Sequence, residues 1–191
     1  GDVEMPDRED VSRGGAGGGV QAGVRKLVEH DVIVRPHEAC NRAETRAPAH
    51  RKHIRLNYIK TKLPAVPIDP GFVTQVVNNL LSNAVRYTPE GGSVTVVLTQ
   101  NQRKDYQLDV TDTGIGIPEA AQAKLFERFY RADNAKRVEA EGSGLGLYLV
   151  KRILELTGGS ITYRTVEGRG TSFRVIIPAA GMCAPKRPID T

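Results

Sequence analysis

Between residues 72 and 87 apolar side chains recur at three- and four-residue steps: Val73, Val76, Val77, Leu80, Leu81 and Ala84. That spacing predicts an amphipathic helix with one buried stripe. Asp69 is a good N-cap, and Pro70 suits the first helical position, where no backbone N–H is required. At about 100° per residue, Gln75, Asn79, Asn83 and Arg86 fall together on the opposite side. Any solvated helix can carry such a polar stripe, so its meaning depends on the motifs elsewhere in the chain.

Other periodicities complete the outline. Ile54 to Ile59 alternates apolar with polar residues and predicts a strand. Ser93 to Thr99 is β-branched, residues 101–105 form a hairpin tip, and Tyr106, Leu108 and Val110 alternate along a strand that ends at Asp112. Leu145 to Leu156 reads as a helix with Leu149, Val150, Ile153 and Leu154 inward, stopped at Gly158. Ser160 to Thr165 and Thr171 to Ile177 make two final strands. Upstream, Val32 to Val34 is a short β-prone run, and residues 35–53 predict a helix interrupted or bent near Pro48. Residues 117–130 read as a turn with a short helix, and 131–141 as a charged, mobile connector. The fold class is α/β: a two-layer sandwich, its mixed, mostly antiparallel sheet covered by helices on one face.

Length permits one domain with a sizeable core. Residues 1–30 are glycine-rich and read as a flexible linker or tail, 31–178 as the domain, and 179–191 as a disordered basic tail containing proline. The opening residue is Gly, so an excised fragment is expected. A phosphate-binding role for the early glycine cluster is rejected, because no strand precedes it and no GK[ST] closes it. Lys and Arg number 27 against 22 Asp and Glu, but the charges are interspersed. With four Phe, six Tyr and no Trp, neither a basic patch nor a stacking platform for nucleic acid is evident. Cys40 and Cys183 lie far apart and read as free thiols in a reducing compartment. No apolar run reaches the roughly 18 to 20 residues that span a bilayer.

Candidate chemistry sits in glycine-rich turns at element ends. Asp112, Gly114, Gly116 and Ile117 follow a strand, and Gly142, Gly144, Leu145 and Gly146 precede a helix. Bare N–H groups at a helix start suit an anion. Locally, Asp112 serves equally as a turn-starting residue before Gly114.

In this order, the polar helix face, the two glycine turns, the aromatic Leu125-to-Arg131 segment and the Gly168-to-Phe173 turn resemble the ATP-binding catalytic domain of bacterial sensor histidine kinases. The superfamily also holds gyrase-type, chaperone-type and mismatch-repair ATPases. The resemblance covers residues 31–178. It implies Mg²⁺ on Asn83, with ATP as cosubstrate and Asn79 and Arg86 in the catalytic constellation. It also implies phosphate contacts from Arg86, where the family usually has lysine, with Tyr87 flanking phosphates or sugar. Asp112 would accept from the adenine amine beside Gly114, Gly116 and Ile117, since guanine presents an oxygen there. Gly142, Gly144 and Gly146 would cradle the β- and γ-phosphates, although Glu141 stands where another glycine is common. Arg131 falls near the phosphates or the partner domain. Phe126 and Phe129 fit lid anchoring or plain core packing. Gly168, Gly170 and Thr171 fit structural support or a simple hairpin turn.

The superfamily's ATPases carry glutamate at the position of Asn79, and an amide cannot activate water. The resemblance therefore implies slow hydrolysis, with transfer of the γ-phosphoryl group to a histidine on a separate dimerisation domain and then to a response regulator. None of His30, His37, His50 and His53 has the acceptor pattern, so the acceptor is expected elsewhere. A regulatory nucleotide-binding module without transferase activity and an anti-sigma-type serine kinase are the rival readings. No nucleic acid partner and no direct membrane contact are expected. The resemblance implies a cytoplasmic domain whose parent protein is commonly anchored in the inner membrane.

Overall fold

The computed structural model describes residues 31–32, 43–61, 63, 66–67 and 69–180. The linker expected over 1–30, the tail beyond residue 180, both cysteines, His30 and His37 lie outside these residues. Two short strands, β1 (Asp31–Val32) and β3 (Val66–Pro67), pair antiparallel as a separate ribbon. The main sheet has five strands: β2 (Arg55–Lys60), β4 (Ser93–Gln100), β5 (Tyr106–Asp112), β6 (Ser160–Val166) and β7 (Gly170–Ile177). Their spatial order is β2-β4-β5-β7-β6, parallel only between β2 and β4. Helices α1 (Ala43–Arg51), α2 (Pro70–Tyr87) and α5 (Gly146–Thr157) and two short ones, α3 (Glu119–Gln122) and α4 (Asp133–Val138), complete the α/β architecture.

The core follows from the strand period of two meeting the helical stripe. Val94, Val96 and Leu98 of β4, Leu108 and Val110 of β5, and Phe173, Val175 and Ile177 of β7 all point to the same buried face. Val73, Val76, Val77, Leu80, Leu81 and Ala84 of α2 close over them, with Val150 and Leu154 from α5. Burying each such side chain is worth about 1.5–3 kcal/mol, so this one layer dominates the fold's stability. The Asp69 carboxylate caps α2, accepting from the Gly71 amide at 2.7 Å. Gly158 ends α5 with φ of 79°, a left-handed turn that L side chains adopt poorly.

Three expectations change. Pro48 stands inside α1 without interrupting it. The segment expected to be a connector, 131–141, contains α4, whose only apolar members, Ala135 and Val138, are too few to give a periodic signal. Leu149 and Ile153 are only half-buried, because the inward line of α5 runs through Val150 and Leu154. Among the described residues no helix is long and apolar enough to cross a membrane.

Candidate functional site

Where α2, the β5–α3 loop, the 131–144 segment and the start of α5 meet, a cavity of about 260 Å³ opens. Its walls include Asn79, Asn83, Arg86 and Tyr87 of α2, Asp112, Gly116 and Ile117 of the loop, and Arg131, Gly142, Gly144 and Gly146. The polar stripe of α2 therefore faces a cavity. Gln75 is the exception: it lies one turn too early and lines a neighbouring cleft instead.

Asp112 is buried at the end of β5, and its Oδ1 accepts from the amides of Gly114 (2.9 Å) and Thr171 (3.1 Å). Both bonds fall on one oxygen, so Oδ2 keeps its acceptor capacity beside the cavity. Burial raises the pKa of this carboxyl, and the two amide bonds pull partly against that rise. The loop beyond it is set by close backbone contacts. A side chain on Gly114 would reach 2.6 Å from the Tyr87 carbonyl oxygen, and one on Gly116 would strike the Val166 carbonyl. The Ile115 amide donates to the Tyr87 carbonyl (3.1 Å), and the Ile117 amide to Thr165 Oγ1 (3.0 Å).

At the opposite end the side chains converge on glycine backbone. Asn79 donates through Nδ2 to the Gln75 carbonyl at 2.9 Å, which turns its amide oxygen toward Gly146. That oxygen lies 3.0 Å from where a Gly146 Cβ would stand, and Asn83 Nδ2 lies 3.9 Å from the same point. Arg131 and Arg86 both reach the position of a Gly142 Cβ, with Cζ at 3.3 Å and Nη1 at 3.4 Å respectively. Among the described residues neither guanidinium forms an ion pair. Helix α5 begins here with no side-chain cap, so its first N–H groups stay available. Two unneutralised cations and an open helix start favour an anion.

Arg131 also organises the segment above the cavity. Its Nη1 donates to the carbonyls of Ala140 (2.9 Å) and Gly142 (3.5 Å), and Nη2 to that of Glu139, while the buried Nε has no partner. Gly144 adopts φ of 68°, and a side chain there would stand 2.6 Å from the Phe129 carbonyl carbon.

Not every expected residue lines the cavity. Gly114 and Thr171 stand behind Asp112 and contribute amides; the Thr171 hydroxyl is engaged with Thr165 Oγ1 at 3.0 Å. Leu145 is the helix cap, and its amide donates to the hydroxyl of Ser143, itself a wall residue, at 3.3 Å. The two phenylalanines separate: Phe126 stacks at a tilt on Tyr163 with centroids 5.9 Å apart, whereas Phe129 is 70% exposed with φ of 61°. Sequence reasoning missed Ser82, Tyr130 and Asn134 in the wall. Ser82 was legible in principle, three residues beyond Asn79 on the same helix. Asn134 was not: it holds α4 to the loop by donating to the Gly116 carbonyl at 3.0 Å, a contact no spacing reveals.

Residues 68–181 match the family described as histidine kinase-, DNA gyrase B- and HSP90-like ATPases. The chain is 41% identical over 114 residues to the sensor histidine kinase WalK of Bacillus subtilis, covering 59% of this chain and 19% of that protein. Among solved structures, a mycobacterial sensor histidine kinase, MprB, superposes with a TM-score of 0.63 at 31% identity, over 76% of this chain and 97% of that one. Full-length ShkA, solved in complex with AMPPNP, superposes with a TM-score of 0.64 at 29% identity over 78% of this chain and 30% of that one.

Proposed function

The chain belongs to the histidine kinase-, DNA gyrase B- and HSP90-like ATPases, as the ATP-binding catalytic domain that sensor histidine kinases carry, and on that premise we propose that it binds Mg-ATP and donates the γ-phosphoryl group to a histidine on a separate dimerisation domain. The observation that carries this reading is Asp112, buried beside the cavity with one oxygen satisfied by two backbone amides and the other spare. A spare carboxylate oxygen accepts from the adenine amine and repels the guanine carbonyl. Tyr87, Gly116 and Ile117 would flank the base and sugar.

The phosphates would lie toward Gly142, Gly144 and Gly146, near Arg86, Arg131 and the open start of α5. The orphaned Arg131 Nε supports an anion there, since a buried guanidinium N–H without an acceptor is costly. For the metal, Asn83 would supply a neutral amide ligand, with the Asn79 amide one turn earlier on the same helix. Among the described residues no group of three His, Cys, Asp or Glu could hold an ion, which favours one that arrives with the charged phosphates. When bound, Mg²⁺ would neutralise charge on the transferring phosphoryl group. Asn79 has no basic group to activate water, so the residues around it would position the phosphates for an incoming nitrogen nucleophile and leave hydrolysis slow. Arg131, by gripping the segment above, would keep water out.

Adding a histidine-bearing dimerisation domain and γ-labelled ATP tests this reading. Acid-labile label on the added domain is the expected result. Acid-stable label would move the reading to a serine kinase, and nucleotide binding without transfer to any such domain would leave a regulatory module. A response regulator would then take the phosphoryl group from the histidine.

A further inference from the structure

We propose that Lys52, which lies outside the cavity, is a positioning residue that holds the end of α2 and thereby aims Arg86 and the base loop. Its ammonium donates to three carbonyls, those of Val85 (3.2 Å), Arg86 (2.6 Å) and Thr88 (3.1 Å). A helix end leaves its last carbonyls without intrahelical partners. Here each has one. Ala84 accepts from both the amide (3.1 Å) and the hydroxyl (2.6 Å) of the buried Thr88, Tyr87 accepts from the Ile115 amide, and Lys52 takes Val85, Arg86 and the cap residue Thr88.

The chemistry suits lysine. An ammonium gathers three donors around one point, a compact arrangement that fits the three carbonyls at this helix end, whereas a guanidinium spreads its donors in a plane. The positive charge also sits at the negative end of the helix dipole. Lys52 is itself fixed at both backbone ends: its amide donates to the Pro48 carbonyl (3.1 Å), and its carbonyl accepts from Gly91 (2.9 Å). The ammonium is thus held by α1 and by the turn after α2, and it grips the residues between.

Two site groups hang from that grip. Arg86 projects from the very residue whose carbonyl takes the shortest of the three bonds, and the adjacent Tyr87 carbonyl fixes Ile115, two residues from Ile117 and three from Asp112. Release of the helix end would let both drift, although neither touches Lys52 through its side chain. The inference rests on the reading of the cavity as a nucleotide site.

The test uses the full chain and three variants. Lys52→Met keeps the stem and removes the donors. Val175→Ala, in the core of β7 and away from the cavity, serves as a variant destabilised by ordinary packing loss. Lys52→Cys, made with Cys40→Ser and Cys183→Ser and then aminoethylated, restores an ammonium of nearly native length. Calorimetry with Mg-ATP is expected to show Lys52→Met weakened by roughly ten- to a hundredfold, the loss typical when a contact supporting a ligand-binding group is removed. Val175→Ala should bind as wild type does at a temperature where both variants are folded, and the aminoethylated protein should regain most of the affinity. Amide exchange should accelerate selectively at Thr88 and Ile115 in Lys52→Met, and across the whole core in Val175→Ala. Equal affinities for Lys52→Met and wild type would overturn the proposal, as would a loss shared equally by Val175→Ala. If wild type itself fails to bind ATP, the nucleotide reading falls, and the exchange at Thr88 and Ile115 still decides whether Lys52 holds the helix end.

Discussion

Replacing Asp112 with asparagine separates recognition from folding, because the hydrogen bonds around it dictate which way the new amide must point. The Gly114 and Thr171 amides are both donors, so they need the amide oxygen of Asp112→Asn in the place of Oδ1. The NH₂ group is then forced toward the cavity. An adenine amine meeting it loses a hydrogen bond to a charged acceptor and faces a donor instead, a penalty of about 2–4 kcal/mol, or roughly 30- to 900-fold in affinity. Guanine, which presents an oxygen, should gain, so the preference for ATP over GTP should narrow or reverse. Folding should suffer little, because the variant retains both backbone bonds and sheds a desolvated charge. Asp112→Ala, by contrast, strands two buried amides at about 1–3 kcal/mol each.

Acid adds a second readout. Burial raises the native pKa of Asp112 above its unfolded value, so between the two the native state carries the extra proton. Its contribution to stability therefore rises as pH falls through the native pKa and levels off below both values. Over the same range ATP affinity should fall, since protonation removes the charged acceptor. Calorimetry and melting curves of wild type and Asp112→Asn across this range check both trends. A folded variant that binds ATP as tightly as wild type would refute the assignment of Oδ2, and a large loss of stability at neutral pH would refute the desolvation argument.

Three further substitutions probe other parts. Gly158→Ala should cost about 1 kcal/mol through its left-handed φ and lower Tm by about 2–4 °C, with ATP affinity unchanged by calorimetry. Gly146→Ala should favour α5 by up to about 1 kcal/mol while its methyl displaces the Asn79 amide oxygen, so the melt should hold or rise as Mg-ATP binding weakens. Arg131→Gln should free the carbonyls of residues 139, 140 and 142, seen as faster amide exchange and proteolysis in that segment, together with a weaker dependence of ATP affinity on salt.

Legibility tracked the range of the interactions. The α2 stripe, its Asp69 cap and the glycine end of α5 are local signals and stand where the spacing puts them. So do the five strands of the main sheet, because alternation survives wherever one face is buried, whereas the short β3 was not foreseen among its prolines. The parallel pairing of β2 with β4 carries no local signature. Asn134 and Lys52 look like ordinary surface residues in the sequence, and only the approach of distant backbone gives them partners. Arg131 was legible as a cation near the cavity but not as the anchor of three carbonyls, since backbone acceptors leave no trace in side-chain spacing.

The Thr171-to-Asp112 bond links residues 59 apart in sequence, across strands that are neighbours in space. Everything from α3 to β6 intervenes. During synthesis the Asp112 carboxylate, proposed to read the base, emerges long before the strand that steadies it, and local chain closure alone cannot assemble the site. Nucleotide bound at the proposed site should therefore stabilise the pairing of β5 with β7. It should act as a brake on unraveling from β7 more than as an accelerator of collapse, and a nascent chain that has not yet released β7 should gain nothing from it.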